Sequence, residues 1–222
     1  MSTVLDLESK KEESQYKLYY FNGNGRAIII RAILYYSKVN FSDVKITKDD
    51  WIKLKQTGKF ESEDLPVMEH KGKLYSQMHA IEQYLGYIFN IHGKNMEDEY
   101  QINSLLDSFD DLFTIFKHFT WPESEEDKEH IKDYEKAFKS KFAFFISVLE
   151  KKYKEKEKYF LGEYFSLADI FITSVLTNFA EKLECENILK EQGPNITGLI
   201  ERIKKNELKN FFEKGYIKES KF

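Results

Sequence analysis

Cysteine is almost absent from this chain. Cys185 stands alone among 222 residues, so no internal disulfide, CxxC redox pair or cysteine-built zinc site can form. Three Pro and ten Gly are about half the ordinary share, which favours long uninterrupted helices. No segment approaches the ~18 apolar residues that would span a bilayer, and Met1 to Gln15 has no basic start followed by an apolar stretch. These absences predict a cytoplasmic protein without membrane attachment. Charge of one sign is missing too: 34 Lys and Arg against 38 Asp and Glu leave a net charge of -4. A general nucleic-acid binder needs a basic excess to release phosphate counterions and is excluded as a partner.

Several motifs are missing as well. Gly23 and Gly25 begin a phosphate-loop pattern, but Ile28 stands where GxGxxG requires its third glycine, and there is no GxxxxGK[ST]. His70, His79, His92, His118 and His130 show no HExxH or HxxxH spacing and read as surface or packing residues, so no metal is expected. No GxSxG elbow supports a serine hydrolase.

What is present is 41% hydrophobic and 32% charged residues, the balance of a soluble globule, in a length suited to two compact units. A polar leader, 1–15, precedes a strand at Tyr16 to Phe21, the loop Asn22 to Gly25 and a helix over Arg26 to Val39 with Ile29, Ile30, Ile33 and Leu34 at helical spacing. Phe41 to Ile46 reads as a second strand and Trp51 to Lys55 as a short helix or turn. Leu65 to Glu69 and Lys73 to Tyr75 form a hairpin about Lys71-Gly72, and Met78 to Phe89 is a helix. The order β, α, β, short α, β, β, α is that of a thioredoxin-like domain, 16–91. From 92 to 222 the pattern is helical throughout. In Asp98 to Phe119 one stripe carries Ile102, Leu105, Leu106, Phe109, Leu112, Phe113 and Phe116, opposite Asn103, Asp107, Asp110 and Asp111. Ile131 to Leu149 is a second long helix, and Lys151 to Lys158 reads as a solvated helix end. Leu167 to Leu183 reads as a central buried helix opened by a capping box of Ser166 and Asp169, with shorter helices at Thr197 to Lys204 and Glu207 to Lys214.

The residues left over gain meaning from their order: Tyr20 at the end of the first strand, Arg26, Asp50-Trp51 with Lys55, Leu65-Pro66, Gln77 with Ala80-Ile81 and Tyr84-Leu85, then Ser166-Leu167-Ala168-Asp169-Ile170. In this order the sequence resembles the cytosolic glutathione transferases, most of all the sigma class, which includes the glutathione-dependent prostaglandin D synthases. The resemblance runs from about Tyr16 to about Phe212.

It implies an α/β N-terminal thioredoxin-like domain that binds glutathione, an all-α C-terminal domain, and a detoxifying transferase that joins the glutathione thiolate to a small hydrophobic electrophile, or isomerises a substrate as the prostaglandin synthases do. It implies that Tyr20 donates a hydrogen bond to that thiolate with Arg26 beside it, and that Trp51 and Lys55 hold the glycyl end. Leu65, before a cis Pro66, would bind the cysteinyl part through its backbone. Gln77 would hold the γ-glutamyl end, with Asp107 reaching that end from the second subunit of a homodimer. Two departures from the family pattern, Met78 where a serine is usual and the acidic stretch Glu61 to Asp64, define the alternative: a weakly active or inactive relative serving as a ligand-binding or assembly subunit. The identity of the electrophile is not written in the sequence.

Overall fold

The computed structural model describes residues 15–153, 157–216 and 218. Of the expected leader only Gln15 falls within them. The expected helix end at Lys151 to Lys158 is described only in part, the helix itself stopping at Lys152.

A four-stranded sheet has the order β2-β1-β3-β4. β1 (Tyr16–Phe21) lies parallel to β2 (Phe41–Ile46), with Tyr20 opposite Lys45. It is antiparallel to β3 (Val67–His70), which pairs with β4 (Lys73–Ser76) across the tight turn at Lys71-Gly72. Both turn residues have positive φ, the conformation a two-residue hairpin of matching twist requires. Along β1 the buried residues Tyr16, Leu18 and Tyr20 alternate with half-buried ones, the period of two that puts Tyr20 on the core face and Tyr19 on the other. Tyr19 there donates its hydroxyl to Glu69 Oε2 at 2.9 Å.

The helix expected after the first strand opens as a 3-10 turn, Gly25–Ala27, and becomes α-helical only over α1 (Ile28–Tyr36). α2 (Lys48–Gln56) begins three residues before Trp51 because the Thr47 hydroxyl caps it, accepting from the Asp50 amide at 3.1 Å. α3 (Met78–Ile88) closes the α/β part. This element order is the thioredoxin-like one the sequence predicts, and helices alone follow it.

α4 (Met96–Thr120) buries the whole predicted stripe. α5 (Glu125–Glu129) is a single short helix that the sequence pattern did not reveal. α6 (Ile131–Lys152) packs along α4. α7 (Leu167–Lys182) is buried nearly all round and packs against α1, so it joins the helical part to the sheet. At its start Asp169 accepts the amides of Phe160 and Ser166 at 2.9 Å each and the Ser166 hydroxyl at 3.0 Å. Burial lifts its carboxyl to about 6 against these donors. α8 (Glu186–Gln192) was also hidden in the sequence, and α9 (Pro194–Lys205) starts at a proline suited to the first turn. The helical stretch expected over Glu207 to Lys214 begins after a turn that ends at Leu208: Lys209 and Asn210 are helical and lead into a π-helical turn at Phe211–Gly215. Gly215 lies there against the Tyr35 ring, where a Cβ would collide.

The topology gathers four loops at one end of the sheet. β1 and β2 run toward it, so Tyr20 and the chain leading to Trp51 arrive together. β3 starts there, directly after Leu65-Pro66, and β4 ends there, directly before Gln77.

Candidate functional site

The Tyr20 hydroxyl accepts the backbone N–H of Arg26 at 2.9 Å. Gly25 makes this approach possible: its φ is +37°, and a Cβ in its place would lie 2.5 Å from the Tyr20 hydroxyl oxygen. The glycine thus serves a phenol rather than a phosphate. Tyr20 is only 8% exposed. Burial raises its pKa, and the Arg26 amide and the Arg26 and Arg31 charges offset this only in part. The group therefore stays protonated at neutral pH. With a lone pair engaged by an amide, its own proton is left to donate.

The loop that delivers this amide is held by Arg31, whose side chain is 0% exposed. Its guanidinium donates to Asp43 Oδ2 at 2.9 Å and Oδ1 at 3.3 Å, to the Phe21 carbonyl at 3.3 Å and to the Gly23 carbonyl. The charge lies 5.7 Å from the centre of the Tyr20 ring. A planar five-donor fork can tie one loop to the neighbouring strand in this way; an ammonium cannot.

Two cavities meet at this end of the sheet. The larger, of about 590 Å³, is lined by Tyr20, Arg26, Trp51 and Leu65 on the sheet side and by Phe113, His118 and Trp121 at the end of α4. The smaller, of about 160 Å³, is lined by Arg26, Asp64, Leu65, Gln77, Met78 and Asp110. Six of the eight residues expected to form a site are therefore brought together: Tyr20, Arg26, Trp51, Leu65, Gln77 and Met78. The Leu65-Pro66 bond is cis. Gln77 carries φ +70° with a side chain on it, a conformation that costs of order 1–3 kcal/mol and is concentrated at functional sites.

Two expected residues stand apart. Lys55 is exposed behind Trp51, its ammonium 5.9 Å from the indole ring centre, and lines neither cavity; Lys48 lines the larger one. Asp107 is exposed on α4 and lines neither cavity. Asp110, one turn on, is the α4 carboxylate that reaches the smaller cavity, 3.8 Å from the Arg26 guanidinium.

A model of the glutathione S-transferase C-terminal domain matches residues 110–215. Glutathione S-transferase 3 of Caenorhabditis elegans is 34% identical over 186 residues, covering 79% of this chain and 87% of its own length. The chain belongs to the glutathione S-transferase family. The rat hematopoietic prostaglandin D synthase is 31% identical over 70% of this chain and 75% of its own. Among solved structures, the prostaglandin synthase D of Nilaparvata lugens superimposes with a TM-score of 0.75 at 26% identity, over 91% of this chain and 99% of its own. Among the described residues no helix is long and apolar enough to cross a membrane.

This glutathione S-transferase places a titrating cluster beside Met78 that the sequence did not reveal. His79, read as surface or packing, has Nδ1 2.9 Å from Glu82 Oε2 and Nε2 3.1 Å from Asp110 Oδ2. The Glu82 side chain is 0% exposed, and its Oε1 has no partner among the described residues. Burial raises its carboxyl to about 7 against the His79 contact. Burial pulls His79 down, but Glu82 and Asp110 outweigh it and leave its pKa above the usual imidazole value. The spacing of three along α3 shows that the two can meet; that the carboxylate lies buried is a tertiary fact.

Both raised pKa values mean that the folded state holds protons the unfolded chain releases. The stability that Glu82 confers is fully present below the ordinary carboxylate range and is lost as pH rises through about 7, whereas that of His79 is fully present below the ordinary imidazole value and is lost above it. We expect wild-type stability in urea to fall between about pH 5 and pH 8, and Glu82→Gln to flatten that fall by on the order of 1–3 kcal/mol. Equal slopes for the two proteins would show that Glu82 does not titrate in this window.

Proposed function

We propose that this chain binds glutathione over the two cavities and adds its thiolate to a small apolar electrophile held beneath Phe113 and Trp121. The observation that carries this reading is the buried Tyr20 hydroxyl: its oxygen already accepts the Arg26 amide, so its proton points to a use as donor. A cysteine-like thiol of pKa ~8.5 is only about 3% ionised at neutral pH. One donor that stabilises the anion by ~2.7 kcal/mol lowers that pKa by about 2 units and makes the nucleophile the major species. A phenol held neutral by burial acts as a hydrogen-bond donor to a thiolate rather than as a base toward a thiol.

In this reading residues 16–91 hold the tripeptide and 92–222 shape the second pocket. Trp51 lies against the glycyl end; Lys48, and Lys55 by turning its flexible stem, supply cations for the glycyl carboxylate. Leu65 binds the cysteinyl part through its backbone. The γ-glutamyl end enters the smaller cavity, its carboxylate on the free amides that open α3 after Gln77. Its ammonium faces Asp110 and Asp64, so the acidic stretch that ends at Asp64 matches one charge of the ligand rather than opposing it. The protein works as a cytoplasmic homodimer in which the exposed Asp107 faces the partner's site, and it needs no metal. The likeness to prostaglandin D synthases supports isomerisation on the same thiolate as a second activity.

The test is turnover of glutathione with chlorodinitrobenzene. Tyr20→Phe removes the donor and nothing of the ring, and kcat/KM is expected to fall about 10- to 100-fold. Tyr19→Phe, which removes a hydroxyl bonded to Glu69 on the opposite face of the strand, is the control. A wild-type protein with no turnover and no saturable glutathione binding would establish the ligand-binding or assembly reading instead.

Met78, buried at the smaller cavity, presents a thioether where a hydroxyl would complete the carboxylate's hydrogen bonds. Met78→Ser should tighten glutathione binding by up to about tenfold in calorimetric titration, with little change in the chemical step. Unchanged affinity would mean that the γ-glutamyl carboxylate does not dock at the start of α3.

A further inference from the structure

The larger cavity carries a polar device at the end of α4, on the wall that faces away from the sheet residues. His118 lies in the last turn of α4 and lines the cavity, with its side chain 34% exposed. Its Nδ1 is 2.7 Å from Asp127 Oδ1. Asp127 is itself fixed: its Oδ2 accepts the amides of Glu123 at 3.2 Å and Ser124 at 3.3 Å as part of the capping box that opens α5. The His118 contact and these amides hold its carboxyl below the usual range, so it remains a carboxylate. The imidazole is clamped on its other side by the Tyr134 ring of α6, stacked at 4.9 Å.

An imidazole whose Nδ1–H is committed to a carboxylate has one tautomer and one working nitrogen. Nε2 has no hydrogen-bond partner among the described residues. Lys117 beside His118, Glu123 from the loop before α5, and Arg26, Lys48 and Asp64 across the cavity are the other charged groups on its walls.

We propose that His118, oriented by Asp127, is the general acid of this transferase, and that it selects electrophiles whose attack by the thiolate places negative charge on an oxygen. This rests on the transferase reading above. The fitting class is an apolar α,β-unsaturated carbonyl lying against Phe113 and Trp121. The thiolate sulfur forms a bond to the β-carbon, the C=C pair moves to give an enolate, and the Nε2 proton of His118 passes to the enolate. Neutral His118 then regains from solvent the proton that glutathione released on ionising. Displacement of chloride from an aryl halide requires no such proton, because the leaving anion carries the charge away.

The experiment compares kcat/KM of wild type, His118→Gln and His118→Asn for trans-2-nonenal and for chlorodinitrobenzene, with saturating glutathione. The ratio of enal to aryl-halide rates is expected to fall at least tenfold in both variants, within the range a positioned acid supplies, and chiefly in kcat. Rates that fall together, or a ratio that does not move, would show that His118 only braces α5 and would overturn the proposal. A wild-type protein inert toward both substrates would remove the transferase reading itself, and this proposal with it.

Discussion

The buried Arg31 guanidinium is the constraint on which the site depends. It has no exposed surface, and its donors bind β2 through Asp43 and the loop after β1 through the carbonyls of Phe21 and Gly23. Removing either partner would leave a charge or a pair of carbonyls buried and unpaired, which costs several kcal/mol. With both in place the loop has one conformation. That conformation sets Gly25 against the Tyr20 ring and turns the Arg26 amide onto its hydroxyl. A positive charge beneath the phenol and an amide on its oxygen both make it a better donor, while burial keeps it from ionising.

From this fixed point the two cavities divide the chemistry. The smaller is polar and carries opposed charges, Arg26 against Asp64 and Asp110, suited to the zwitterionic end of a peptide. The larger is walled on the helical side by aromatic faces, with an aspartate-held histidine at its rim. Tyr20, Arg26 and Leu65 stand where the ligand's sulfur would pass from one environment to the other. Beside these cavities His79 pairs with Glu82 and Asp110, and His118 pairs with Asp127.

Much of the fold was legible because its signals are local. The short aromatic run Tyr16 to Phe21 matches the observed bounds of the first strand, and the apolar stripe of α4 is buried residue for residue. The candidate site was legible as an order of residues, since the sheet topology brings four separated loops to one end. What escaped was anything that required knowing which side chain lies buried against which. Nothing local in the sequence separates Arg31 or Glu82 from the other charges on its helices. His79 and His118 lacked metal spacing and were set aside, yet each takes its meaning from a carboxylate on a different element, Asp110 and Asp127. The short helices α5 and α8 escaped because one or two turns carry too little periodicity to see.

The central claim is that Tyr20 creates the nucleophile by donating to a thiolate. The most direct measurement is an ultraviolet titration of thiolate absorbance for glutathione bound to the wild-type protein. The bound thiol should titrate about 2 units below the ~8.5 of a free thiol, near neutrality or lower. A bound thiol that titrates where free glutathione does would contradict the claim, leaving Tyr20 a buried phenol with an idle proton.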